Sequence, residues 1–294
     1  MSDAAIKPGS TIFVTGVNGL IGSYIVDELL KLGYNVRGAV RDTQKSAWLL
    51  DYFTGKYSST LDLVSVPDMT VDGCYDDVVK GTSGFIHVAS PLGGTDPHTT
   101  IPIGIASAIN ALSTCTSTPS IAATFPSNGI PKALSQSSWN EEGIRKGWSH
   151  PASDPDALRG LYIYAALKTE SEKAMFDRIG EVVKPQFYIS TQDLHATGHV
   201  AALLHPTLTS TRLFGFAQKW DFNTLLAIYR RTFPDRSFPE DLPNLVEDLS
   251  EPPSARAEEI LAWLKKDERG EGMGWDDLET TVVEMAGQFA SGEV

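Results

Sequence analysis

The chain has 294 residues, enough for one large domain or two smaller ones, and a composition of 41% hydrophobic and 21% charged residues excludes disorder along its whole length. With 24 basic against 37 acidic residues the formal net charge is −13, so neither a nucleic acid nor a membrane surface is an expected partner. Two cysteines, Cys74 and Cys115, are too few for a disulfide framework, and no secretory-type or membrane-spanning apolar stretch is found, so the expected setting is cytoplasmic.

Short apolar runs alternate with longer helix-like stretches in the first third of the chain, the pattern of βαβ units around a parallel sheet. Strands are expected at residues 12–14, 34–40, 61–66 and 85–88, with an amphipathic helix over 21–32 after the first. A helix within 96–112 should start after Pro102, because an interior proline removes a hydrogen-bond donor. Residues 113–120 are nearly all hydroxyl-bearing and unsuited to a strand buried on both faces, so the fifth strand is expected to be missing or weak, with 121–125 as its stand-in. Further on, 162–179 regains a helical period, 187–190 is strand-like and 193–204 is an alanine-rich helix. Past Arg212 come an aromatic strand at 213–216, a helix at 222–233, an acidic surface connector at 239–253 and two more helices, together a separate C-terminal part.

Between the first strand and the first helix lies Gly16-Val-Asn18-Gly19-Leu20-Ile21-Gly22. Gly16 permits the tight turn, Gly19 lets the main chain approach a pyrophosphate, and Gly22 lets the helix pack on the strand, while the amides of the helix start favour an anion. A dinucleotide site is therefore expected here. Arg41 ends the second strand, where arginine favours a ribose 2′-phosphate over a 2′-hydroxyl, and Lys45 adds a second cation, which together point to NADP. Asp42 is expected to turn away or pair with a neighbouring base. Asp68 and Met69, after the third strand, are placed to meet adenine, and Ala89 and Ser90, after the fourth, to pass the nicotinamide-side ribose.

Tyr164 and Lys168 stand one helical turn apart on one face. Hydride delivery to a carbonyl leaves an alkoxide that needs a proton, and a tyrosine beside an ammonium can supply it. His195 and His199 share the same spacing, but no glutamate follows the first and no third ligand is evident, so no metal is expected.

The motifs TGVNGLIG, VRGAVRD, VPDMT, GFIHVASP, SSWNEE, YAALK, HVAALLHP and FPEDLP resemble those of the extended short-chain dehydrogenase/reductases, the NAD-dependent epimerase/dehydratase-like group. Within it the chain is most similar to the fungal aldehyde and ketone reductases of the dihydroflavonol-4-reductase-like branch. The resemblance implies an α/β fold: a Rossmann doubly wound parallel sheet binding NADP in residues 10–205, and a smaller C-terminal substrate domain, here a remnant, in 206–294. It also implies NADPH-dependent reduction of a small-molecule carbonyl in secondary metabolism, with Tyr164 and Lys168 in a catalytic Ser-Tyr-Lys group. Two segments of the family pattern are lacking, near 113–120 and at 185–186, so the sheet is expected to be short of two strands. Ser120, with Ser117 behind it, is the nearest substitute for the catalytic serine. The alternatives are a nucleotide-sugar epimerase or dehydratase, and a truncated NADP-binding relative without catalysis.

Overall fold

In the computed structural model the described residues are 3–91, 94–114, 116–117, 132–135, 137–149, 156–179, 197–208, 211–245, 249–266, 272 and 274–291. At its centre is β1 (Thr11–Thr15), whose Ile12, Phe13 and Val14 are all fully buried, as a strand covered on both faces requires. It pairs in parallel with β2 (Asn35–Val40) and with β4 (Gly84–His87), and β3 (Leu61–Ser65) adds to β2. β5 (Thr116–Ser117) adds to the far side of β4, giving the order β3-β2-β1-β4-β5, the strand order of a Rossmann sheet.

Helices cover both faces. On one, α1 (Leu20–Lys31) buries Ile25, Val26, Leu29 and Leu30 against Ile12 and Val14. The same core takes in Val200 and Ala201 of α6 (Thr197–Leu204), and Ile260 and Leu264 of α8 (Ala255–Leu264). On the other face Phe13, Tyr75 and Phe85 meet edge to face, with ring centroids 4.7–5.9 Å apart, beside Ala111 of α3 (Pro97–Thr114). α5 (Asp156–Ile179) packs on α3 through Ile101, Ile163 and Leu167, and α4 (Glu141–Ser149) packs on α5.

The first four strands and the first helix lie where the sequence places them. Several expectations need correction. α3 starts at Pro97 and runs through Pro102, because Pro102 is on the exposed side, where water can take the carbonyl bond it forfeits. A fifth strand does form within the hydroxyl-rich segment: Thr116 and Ser117 pair with Ile86 and His87, a two-residue ladder that needs only backbone groups. Residues 121–125 and 187–190 lie outside the described residues. The aromatic run at 213–216 is irregular, buried over 213–215 and half-buried at Phe216, with no strand assigned to it among the described residues. The acidic connector is exposed over 239–245, yet its later part supplies β7 (Ser250–Glu251), which pairs with β6 (Lys132–Ala133). α2 (Trp48–Phe53) and α4 were not expected, whereas α7 (Phe222–Thr232), α8 and α9 (Leu278–Ser291) answer the C-terminal helices.

His199 in α6 is buried, and neither ring nitrogen has a hydrogen-bond partner among the described residues. Burial lowers it to about 4 from an ordinary 6.5, so the unfolded chain takes up the proton first as the pH falls. Its share of stability is complete above pH 6.5 and is lost as the pH drops toward about 4. Relative to His199→Leu, the wild type should therefore lose up to about 1.4 kcal/mol per pH unit below 6.5, read by urea unfolding across that range.

Candidate active site

All four long strands are parallel, so the loops that follow them gather at one edge of the sheet. The loop after β1 is set by steric exclusion. Gly16 has φ +72°, and a Cβ there would lie 2.9 Å from the Ala89 nitrogen. A Cβ on Gly22 would fall 2.0 Å from the Gly16 carbonyl oxygen. Gly19 caps α1 with no side-chain hydrogen bond, and the amides of Leu20, Ile21 and Gly22 head the helix without intrahelical acceptors. Asn18, Gly19 and Leu20 are exposed and Ile21 is half-buried. This cradle, bare of side chains and lined by free donors, fits a pyrophosphate.

Beyond β2, Asp42 Oδ1 accepts from the amides of Gln44 and Lys45 at 2.9 and 3.1 Å, and Oδ2 lies 3.8 Å from Lys45 Nζ. The acidic group that could have taken a ribose diol is thus engaged in its own turn. Arg41 is exposed, and its guanidinium has no ion pair or hydrogen bond among the described residues. Beyond β3, Asp68 Oδ1 accepts from the Thr70 hydroxyl and amide at 2.6 and 2.8 Å, which holds its carboxyl below the usual range. The Met69 carbonyl accepts from Asn110 Nδ2 at 3.0 Å, so α3 pins this turn to the sheet.

The turn after β4 is stitched to β1. Thr15 Oγ1 accepts from the Ala89 amide at 3.2 Å and shares a hydrogen bond with His87 Nδ1, 2.8 Å away. His87 is neutral, pushed down to about 3 by burial and by the Lys168 charge. Ala89 and Ser90 share one recess with Lys168 of α5. Lys168 Nζ lies 5.6 Å from the Tyr164 ring centroid and makes no hydrogen bond to any described residue. Burial lowers Lys168 to about 8, with Glu172 acting in the opposite direction. A half-buried ammonium that lacks an acceptor among the described residues and faces a recess suits the hydroxyls of a ribose.

The structure therefore brings the glycine loop, the Arg41 and Asp68 turns, Ala89, Ser90, Tyr164 and Lys168 to one edge. Ser120 and His195 lie outside the described residues; Ser117 is the last residue of β5. Sequence reasoning missed Thr15, His87, Asn110 and Glu172. Of these only Glu172 left a signal, the four-residue step that continues from Tyr164 and Lys168.

The profile of the NAD dependent epimerase/dehydratase family matches residues 12–173. The chain belongs to this family. Among its relatives, aldehyde reductase 2 of Sporidiobolus salmonicolor is 30% identical, covering 98% of each chain. That alignment runs over 345 positions against a chain of 294, so the relative carries segments with no counterpart here. Ketoreductase adrE of Penicillium roqueforti is 28% identical over 94% of this chain and 96% of its own. Gre2 of Candida albicans, solved in complex with NADPH, superposes with a TM-score of 0.78 at 19% identity, covering 97% of this chain and all of that one, and so shares the fold. No described helix is long and apolar enough to cross a membrane.

Gly22→Ala is expected to destabilise the fold by about 1–3 kcal/mol, because the added methyl meets the backbone of Gly16 and Val17, which has no flexible end to yield. Gly19→Ala, whose Cβ would meet only the Gly16 oxygen at 3.3 Å, should stay within about 1 kcal/mol of wild type in urea unfolding.

Proposed function

We propose that this protein is an NADPH-dependent reductase of small aldehydes or ketones, working in the cytoplasm, with Tyr164 as the proton donor. The observation that carries the reading is Lys168, a half-buried ammonium without an acceptor among the described residues, one turn from Tyr164 and in the same recess as the turn after β4. The names of two relatives, an aldehyde reductase and a ketoreductase, support the substrate class.

When bound, the nicotinamide would supply the hydride; the chain's own residues do the rest. The loop from Gly16 to Gly22 would hold the pyrophosphate on the α1 amides, with Asn18 at its mouth. Arg41 and Lys45 would take the 2′-phosphate, Asp68 and Met69 would flank adenine, and Ala89 and Ser90 would border the nicotinamide-side ribose. Lys168 would hold ribose hydroxyls, and Tyr164, one turn away, would give its phenol proton to the carbonyl oxygen as hydride arrives at the carbon. Ser120 is proposed as the third member of the group by its place after β5. Residues 206–294 are proposed as the substrate side. The free Arg41 and the engaged Asp42 favour this reading over a nucleotide-sugar epimerase that retains NAD.

The test is NADPH oxidation with a panel of aldehydes and ketones. Tyr164→Phe is expected to lower kcat by about 10²–10⁴-fold with NADPH affinity nearly unchanged. Replacing both Arg41 and Lys45 by alanine should weaken NADPH by about tenfold or more and leave NADH unaffected, since each lost charge contact is worth on the order of 1 kcal/mol. Binding of neither nucleotide by folded protein would overturn the proposal, and binding without turnover would favour a non-catalytic relative.

A further inference from the structure

Tyr164, Lys168 and Glu172 recur every four residues along α5 and so share one face, a turn apart. Glu172 is buried, and Arg212, from the segment after α6, brings Nε to 2.6 Å from its Oε1, with both side chains only 1% exposed. Arg212 is itself anchored. Its Nη1 donates to the Ser138 carbonyl at 2.7 Å, and its guanidinium lies 4.3 Å from the Trp139 ring centroid and 5.1 Å from that of Phe214.

Burying two charges costs several kcal/mol, and a pair of this kind is seldom a net gain over apolar packing. The arrangement is also incomplete as a closed pair, because Glu172 Oε2 has no hydrogen-bond partner among the described residues. Glu172 and Lys168 line the same recess, together with His87 of β4 and Ser107 of α3. Of the groups lining it, α3 brings no charge, and the β4 histidine is neutral through burial. Arg212 is bound to Glu172 from the C-terminal side. Glu172 thus carries the one acidic group that the described lining places beside Lys168.

We propose that Glu172, clamped by Arg212, is the positioning residue of Lys168, holding its ammonium in the charged form on the α5 face that also carries Tyr164. The consequence for turnover rests on the reductase reading; the effect on Lys168 does not. Burial raises the Glu172 carboxyl, and Arg212, then Lys168, pull it back, so the pair and Lys168 titrate as one unit.

The test is competitive acetylation of Lys168 against pH in the full-length, cofactor-free protein, followed by mass spectrometry. Wild type should reach half-labelling near the value of about 8 that burial imposes. Glu172→Gln should lower that midpoint by about one pH unit, the size expected for loss of a nearby opposite charge, and Glu172→Asp should restore it to within about half a unit. An unchanged midpoint in Glu172→Gln, or an equal fall in both variants, overturns the proposal. Should Glu172→Gln fail to fold, Arg212→Gln decides: without the guanidinium that pulls the Glu172 carboxyl down, less of it is ionised beside Lys168, so the midpoint must fall, and no fall overturns the proposal. Absence of NADPH turnover in the wild type would remove the reductase reading and leave the labelling result standing.

Discussion

The contact on which the site depends is one that involves no side chain at all. The carbonyl of Gly16 lies so close to Gly22 that a methyl group has no room between them, and the same Gly16 sits against the backbone of Ala89. Three pieces of main chain, the β1 turn, the start of α1 and the exit of β4, are therefore locked together by van der Waals exclusion. The Thr15–His87 hydrogen bond ties the same junction through side chains. Because the amides that would face a phosphate and the turn beside Lys168 are fixed to one another, the two ends of a bound dinucleotide would be set by a single rigid corner.

Around that corner the protein trades stability for charge. An apolar recess between β4, α3 and α5 would be the cheaper solution, yet it holds a neutral histidine, an ammonium without an acceptor among the described residues, and a carboxyl group with an oxygen unsatisfied among them. Buried polar groups of this kind each cost on the order of 1–3 kcal/mol when unpaired. Their concentration in one recess beside the turn after β4 is the pattern expected where perturbed protonation serves chemistry.

Much of this was legible in the sequence, for reasons that differ by element. β1 is covered on both faces, so it appears as an unbroken apolar run, Ile12-Phe13-Val14, β4 shows the shorter Phe85-Ile86, and Gly16 and Gly22 between β1 and α1 have no substitute sterically. What was not legible depended on information the local pattern lacks. β5 is a backbone ladder of two residues and carries no apolar signature. Pro102 breaks a helix only if its lost bond is buried, and its exposure belongs to the tertiary structure. The aromatic run after Arg212 has the composition of a strand, but strand formation needs an edge to pair with. The ion pair between Glu172 and Arg212 joins residues forty positions apart, beyond the reach of any periodicity.

That same irregular run explains how the C-terminal part reaches the site. Successive residues of an extended segment face opposite ways. Leu213 enters the large core with Ile12 and Ile260, while Arg212 and Phe214, on the other side, come together near Trp139, and Arg212 continues to Glu172. Burial of one leucine therefore fixes the register of its neighbours: a shift by one residue would send the guanidinium into the core and the leucine onto a carboxylate. The core that holds α6 and α8 against the sheet thus determines where the cation beside Glu172 lies, and through Glu172 the electrostatic setting of Lys168.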